Sequence, residues 1–443
     1  MLSKVKKFRL SSFQLIMLSF ASVIILGALL LMQPFSTQER IRTPFIQALF
    51  TATSSVCVTG LVVKDTATYW STFGHIVIIA LIQIGGFGVM TVMAGIAMLS
   101  GQKISLAQRS RLQDTISAPQ LGGIVRLTTF IIKYTLIIEL IGACFMAPTF
   151  VRDFGIKGLW YALFHSISAF CNAGFDLLGV REQFSSLTTY VDSVPINVTI
   201  MLLIVIGGLG FVTWDDIRTH KTRLSRYRMQ SKVILLTTAL LILLPALYFF
   251  LVEFHQMPLS RRILVSFFQS ITPRTAGFNT VDLTGLTQSS QALTSILMLI
   301  GGSPGSTAGG MKTSTLAVLL LTAMSVFRQD RTTHAFGRRL SSDTIRTAFT
   351  IMVMYVNLFL FSGFFLSLYD KIPLETALFE TASAIGTVGL SLGITASLSI
   401  PSLFVLIFLM FFGRVGGLTI IFATLRSVQK DGTLLPLDDI AVG

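Results

Sequence analysis

The sequence predicts an all-α polytopic membrane protein. Four tandem span–pore-loop–span units surround one central pore, giving eight spans and four pore half-helices. Three observations lead there. Of 443 residues, 52% are hydrophobic and only 12% charged, where soluble domains carry about 25% charged residues. The apolar residues lie in long uncharged runs with basic clusters between them. A short phrase around one glycine, GTVGL at 386–390, has counterparts at three other places.

The runs define the spans. Residues 66–102 contain no Asp, Glu, Lys or Arg, and further runs cover 12–38, 134–151, 193–214, 233–252, 283–311, 313–327, 347–369 and 381–413, one broken only by Glu139. A bilayer crossing takes about 20 mostly apolar residues. A β-barrel is excluded, because its strands alternate apolar and polar residues over about ten positions. The start of the chain, basic and then LIMLSFASVIILGALLLM, has the outline of a signal peptide. Its apolar run is as long as a span and no A-x-A-like site follows, so it reads as a retained first span.

The net charge of +14 comes from separate clusters at 4–9, 103–126, 218–232, 328–346 and 426–430. Basic loops alternating with apolar spans follow the positive-inside rule. The rule places the N-terminus and these loops in the cytoplasm, with an even number of crossings between successive clusters. Such a distribution is not a nucleic-acid surface, and no nucleic-acid partner is expected. Cys57, Cys144 and Cys171 are too few and odd in number for a disulfide framework.

The repeats emerge when four segments are aligned on one glycine. They are FTATSSVCVTGL ending at Gly60-Leu61, FHSISAFCNAGF at Gly174-Phe175, FFQSITPRTAGF at Gly277-Phe278 and FETASAIGTVGL at Gly389-Leu390. Phe50, Phe164, Phe267 and Phe379 precede their glycines by ten. Downstream, Gly85-Gly86, Gly207-Gly208, Gly301-Gly302 and Gly413-Arg414 keep step. The units are 1–101 (pore loop 44–61), 102–226 (pore loop 158–175), 227–345 (pore loop 262–278, second span interrupted at 301–312) and 346–443 (pore loop 373–390). A helix of about ten residues, as over 44–55 or 373–384, cannot cross a bilayer. Irregular backbone at membrane depth persists only where protein buries it or water lines it. Four such strands around one axis satisfy that condition, and their carbonyls can replace the water shell of a cation. The expected filter is Val58, Thr59 and Gly60; Asn172, Ala173 and Gly174; Thr275, Ala276 and Gly277; and Thr387, Val388 and Gly389.

This fourfold pattern, with one filter glycine per unit and GGSPGSTAGGMKTST at 301–315, resembles the Trk/Ktr/HKT superfamily of potassium transporters. The resemblance covers the whole chain and is nearest the bacterial Ktr membrane subunit, which also begins directly with the first unit. It implies a homodimer in a bacterial plasma membrane with one pore per protomer. It further implies potassium as the transported ion, stimulation by sodium, and a cytosolic ring of RCK-type nucleotide-binding regulatory subunits. No covalent cofactor is implied. Gly60, where serine accompanies sodium conduction in the wider superfamily, favours potassium. Two residues after each glycine, Val62, Asp176, Asn279 and Ser391 depart from the glycine of tetrameric channels, which implies fewer ion sites.

Residues Gly301, Gly302, Ser303, Pro304, Gly305, Ser306, Thr307, Ala308, Gly309, Gly310 and Lys312 interrupt the third unit's second span. A P-loop is a poor match, since Met311 spoils G-x4-G-K-T and no strand precedes it. A kinked helix and a plug beneath the filter remain, and broken helices belong beside pathways. Arg414 stands where the other units have glycine. An arginine at membrane depth costs about 3 kcal/mol or more and so faces water or a partner. It is expected either beside the pore as a gate or in an ion pair with Glu139. Glu139 itself reads as structural and His165 as a packing histidine. The basic loops at 218–232 and 328–346 are expected to meet the regulatory partner or lipid headgroups. No metal-ligand spacing, catalytic dyad or nucleophile elbow occurs, so an intramembrane enzyme has nothing to support it. A secondary transporter of an organic solute would show two repeats with midplane charges rather than four glycine strands.

Overall fold

The computed structural model describes residues 11–89, 91, 92, 94, 124–417, 419 and 420. The expected basic loops at 4–9 and 426–430, and most of that at 103–126, lie outside those residues. The first segment supplies α1 (Ser12–Leu31), α2 (Phe45–Val56) and α3 (Thr72–Phe87). The second supplies α4 (Ile124–Phe154), α5 (Lys157–Phe170), α6 (Val194–Gly208) and α7 (Phe211–His220). The third has α8 (Met229–Tyr248), α9 (Leu259–Ile271), α10 (Gln288–Leu299) and α11 (Thr313–Phe327). The last has α12 (Ser342–Asp370), α13 (Leu374–Gly386) and α14 (Ile400–Val415). A hairpin pairing His334 with Arg339 and Ala335 with Arg338 joins α11 to α12.

Local sequence sets these boundaries. Ser11 and Gln14 form a capping box at the start of α1, and Ser341 caps α12 through the Thr344 N–H. Three of the short helices start directly after a proline, Pro44, Pro258 or Pro373. Proline's fixed φ suits the approach to a helix, and it contributes no N–H that would go unpaired there. The short helices have 12, 14, 13 and 13 residues. At about 1.5 Å per residue each spans about 20 Å, short of the roughly 30 Å hydrocarbon core.

The architecture is a ring. The long helices α1, α4, α8 and α12 pack on the short helix that follows each of them. The helix after each strand packs on the short helix of the next segment: α3 on α5, α6 on α9 and α10 on α13, with α14 closing on α2. A buried apolar core packs the ring together, and in it Phe50, Phe164, Phe268 and Phe379 are at most 1% exposed. Truncating one of these to alanine carries a cost of about 3–5 kcal/mol. The long helices bury only 22–39% of their most apolar windows. Leu26, Phe145, Leu244 and Phe361 on them face outward, an apolar surface suited to lipid.

Two expectations need correcting. Of the eight spans expected, α1, α4, α8 and α12 are, among the described residues, long and apolar enough to cross a membrane alone, and α6 with α7 makes a further candidate as a pair bent by 98°. The run at 193–214 is therefore bent between α6 and α7 rather than continuous. Helices α3, α11 and α14 have 15 or 16 residues. Glycines with positive φ end three of the inner helices, Gly88 after α3, Gly210 before α7 and Gly416 after α14. Apolar composition alone does not register such a break. The second correction concerns Phe267, which is 36% exposed while Phe268 is fully buried. The third short helix is offset by one residue. Its Ala276 N–H reaches back four residues to Thr272 O, whereas Thr59, Ala173 and Val388 reach back five, to Ser54, Ser168 and Ser383.

Candidate ion pathway and gate

Each short helix delivers its C-terminus to a glycine strand. In every strand the first and third residues have positive φ: Val58 and Gly60, Asn172 and Gly174, Thr275 and Gly277, Thr387 and Gly389. The middle residues do not. Alternating handedness turns successive carbonyls to the same side. Val58, Thr275 and Thr387 are β-branched, and for such residues a positive φ is a strained state that surrounding structure must impose.

The imposing groups are hydroxyls on the helices. Ser54 Oγ accepts from the Gly60 N–H at 3.1 Å and Ser383 Oγ from the Gly389 N–H at 3.0 Å. Ser168 donates to Phe175 O at 2.7 Å, and Thr272 donates to Phe278 O. The sequence reading missed these four residues, although a serine six before the glycine in three segments is a visible signal.

The strands meet in cyclic order. A Cβ built on Gly60 would stand 2.5 Å from Ala173 O; on Gly174, 2.6 Å from Ala276 O; on Gly277, 2.1 Å from Val388 O; and on Gly389, 2.3 Å from Thr59 O. Each glycine therefore faces the carbonyl before the next glycine, and the fourth closes on the first. Of the twelve residues expected at the filter, the four glycines and the residue before each make these contacts, and Val58, Asn172, Thr275 and Thr387 are the positive-φ residues that start the strands. The downstream glycines allow another close approach. A Cβ on Gly85 would lie 2.1 Å from Val56 O, on Gly207 2.0 Å from Phe170 O, and on Gly413 2.1 Å from Ile385 O. The inner helices thus press on the ends of the short helices, whose C-terminal carbonyls carry partial negative charge. Carbonyl rings and helix C-termini together suit a cation stripped of water.

Residues 301–312 run beside this ring without helix. The Ser303 N–H donates to Gly208 O at 2.9 Å, the Thr307 hydroxyl to Phe170 O at 3.0 Å and the Gly310 N–H to Gly413 O at 3.1 Å. The loop therefore hooks the inner helices of the second and fourth segments and the end of α5. Gly309 abuts Thr387, the first residue of the fourth strand. Lys312 folds back to donate to Ala308 O at 2.8 Å. Arg414 donates to Thr307 O in the loop and to Gly85 O and Gly86 O on α3. The alternative ion pair with Glu139 does not form. Glu139 is 2% exposed and accepts from Gln83 Nε2 at 3.1 and 3.2 Å.

On the side where the strands exit, a cavity of about 250 Å³ is lined by all four glycines and by Asp65, Asp176 and Asp282. No Lys or Arg lines it. Asp176 lies in the loop just past its strand. Burial, and secondarily the Asp65 charge, push its carboxyl up to about 7 against a Leu178 N–H that favours the anion. His165 fulfils the packing expectation: its ring lies among Phe150, Phe164 and Phe278, its Nδ1 pairs with Tyr161 O at 2.7 Å, and its Nε2 accepts from the Leu177 N–H at 3.4 Å. Corrected for the offset in α9, the residue after the buried phenylalanine is Thr51, His165, Gln269 or Glu380. The sequence reading did not single out Gln269 or Glu380.

A family model described as "TrkH: Cation transport protein" matches residues 8–431. The chain is 38% identical over 440 residues to the potassium/sodium uptake protein NtpJ of Enterococcus hirae, covering 97% of this chain and 96% of that protein. It is 35% identical over 434 residues to the Ktr system potassium uptake protein B of Bacillus subtilis, covering 96% of each. The crystal structure of the potassium transporter TrkH from Vibrio parahaemolyticus superposes with a TM-score of 0.75 at 18% identity, covering 95% of this chain and 86% of that one. That likeness speaks to fold.

Proposed function

The chain belongs to the TrkH family of cation transport proteins, and from that premise we propose that it is the potassium-translocating subunit of an uptake system. Its four tandem units supply one pore, and the ion passes through the ring formed by residues 58–60, 172–174, 275–277 and 387–389. One observation carries this reading: the closed cyclic contact of four glycine strands, each with the alternating φ that turns carbonyls to one side. The acidic mouth is the external side and concentrates cations. The loop 301–312, pinned by Arg414, is the gate on the cytoplasmic side. Transport is channel-like, with the loop displaced when a cytosolic nucleotide-binding ring engages the basic loops of a homodimer. Sodium stimulates it, and the N-terminus is cytoplasmic. Relatives named for potassium/sodium uptake and for potassium uptake in the Ktr system support the ion.

The test is expression in a potassium-uptake-deficient bacterium at low external potassium, together with rubidium uptake by purified protein in liposomes. Growth and flux are expected when the regulatory partner is present. Correctly inserted protein with its partner and no flux of either ion would refute the reading. Flux of an organic solute instead would favour a secondary transporter.

A further inference from the structure

We propose that Glu380 binds a sodium ion together with the hydroxyls of Ser391 and Thr395, behind the fourth strand and off the conduction axis. Glu380 lies on α13 and is 0% exposed. The Thr395 hydroxyl donates to its Oε1 and lies 3.1 Å from the Ser391 hydroxyl, which places a second hydroxyl next to the carboxylate. Oε2 has no hydrogen-bond partner among the described residues. None of the ion pairs among the described residues includes Glu380.

A buried carboxylate without a counterion is costly. The charged groups near its hydroxyl partners do not supply one, since the cavity that Ser391 and Thr395 line carries Asp65, Asp176 and Asp282 and no Lys or Arg. The same cavity gives a cation from the mouth a route to the carboxylate, and its acidic lining raises the local cation concentration.

The donor set selects the ion. One carboxylate balances one charge, whereas divalent sites usually combine several carboxylates or keep several waters. Carboxylate and hydroxyl oxygens in a tight cluster present a stronger field than a ring of neutral carbonyls, and a strong field favours the smaller monovalent cation, sodium over potassium. The repeats argue for a role apart from conduction. The equivalent positions are Thr51, His165 and Gln269, so only one quarter of the ring carries a charge here. Thr51 bonds within its own helix and His165 braces the strand at Leu177. A sodium ion at Glu380 would brace the fourth strand in the same manner and only when present.

The inference rests on the proposed stimulation by sodium and is separable from it. Purified full-length protein is unfolded thermally in sodium, potassium or choline chloride at equal ionic strength, and rubidium uptake in liposomes is measured with and without sodium. Sodium is expected to raise the Tm saturably and more than potassium does. Glu380→Gln should abolish that difference and bring the sodium-stimulation ratio to one. Ser391→Ala should weaken sodium about tenfold, the loss of one hydroxyl ligand to a charge. Equal sodium responses in wild type and Glu380→Gln would overturn the site and leave potassium transport standing. A sodium-specific Tm rise lost in Glu380→Gln, with no stimulation in the wild type, would support the site and remove sodium from the transport reading. Where Glu380→Gln does not fold, Ser391→Ala decides, and an unchanged sodium midpoint overturns the site.

Discussion

Gly277→Ala probes the ring where it is tightest. The new methyl would start 2.1 Å from Val388 O, with its backbone held at φ +81°. Carbon and carbonyl oxygen do not approach within about 3 Å, so the strands must separate by about 1 Å, close to a third of the contact distance. Relief by rotating φ is blocked as well, because leaving the left-handed region would turn the carbonyl away from the axis. Holding an alanine there costs about 1–2 kcal/mol. At 1.4 kcal/mol per tenfold, that strain predicts about a 5- to 30-fold rise in the potassium concentration for half-maximal uptake, with the preference over sodium shrinking in step. The four positions should rank by clearance: Gly277 and Gly389 at 2.1 and 2.3 Å suffer most, Gly60 and Gly174 at 2.5 and 2.6 Å less. Two controls bound the effect. Gly285→Ala meets no atom within 4 Å, and at Gly363 the methyl would press on the movable Leu378 side chain and touch Thr381 Oγ1 at an ordinary 3.5 Å. The assay is potassium and sodium uptake measured side by side in liposomes, normalised to protein in the membrane. Unchanged affinity in all four register variants, or an effect at one alone, would refute the shared ring.

Three other expectations follow from the geometry. Arg414→Ala removes the donations to Thr307 O, Gly85 O and Gly86 O and should raise flux severalfold, with Arg414→Lys only partly restoring the closed state because one ammonium cannot span carbonyls on two elements; single-channel or rubidium-flux recording checks it. Deleting 303–310 should raise flux further and weaken dependence on the regulatory partner, and unchanged flux in both variants would leave these residues without a gating role. A carboxyl pushed up to about 7 is charged above that pH and neutral below it, so Asp176 should make potassium uptake at limiting concentration fall as pH drops from about 8 to 6, and Asp176→Asn should be flat and low across that range.

What the sequence made legible was whatever repeats or whatever must be apolar. The glycine register picked out the four glycines whose strands meet in cyclic contact, because the contact of each glycine with the next strand's carbonyl tolerates no side chain and so leaves its mark at fixed spacing. The interruption at 301–312 was equally visible as five glycines and a proline inside a span. Four features stayed hidden for physical reasons. The breaks at Gly88, Gly210 and Gly416 depend on one dihedral each, and apolar composition runs straight through them. The positive φ at Val58, Thr275 and Thr387 contradicts the preference of β-branched residues, so only the surrounding hydrogen bonds could reveal it. The one-residue offset of α9 was masked by the doublet Phe267-Phe268, where either phenylalanine satisfies an alignment and only burial distinguishes them. Glu380 was passed over because an acid in a short segment is unremarkable until its partners, or the lack of one at Oε2, are known.

A single chain that supplies all four quarters can differentiate them, and the differences fall where the proposed gate needs them. A Cβ at Gly86 would strike Cys171 Sγ at 2.6 Å and at Gly302 it would strike Ala308 at 2.4 Å, whereas Gly208 has clearance to 3.7 Å. Arginine in every register position would therefore not pack. Four guanidinium groups converging to about 10 Å would also repel by about 1.7 kcal/mol per pair at an effective dielectric of about 20. One arginine avoids both costs and keeps its charge beside the axis, with carbonyls of α3 and of the loop as acceptors. The loop in turn touches the fourth strand at Thr387 and the second short helix at Phe170. Displacing it would remove supports from two quarters of the ring while the first and third remain held by their own helices. If the loop is the gate proposed above, its opening and the loosening of the ring are mechanically linked, and variants that free the loop should lose ion preference as well as gain flux.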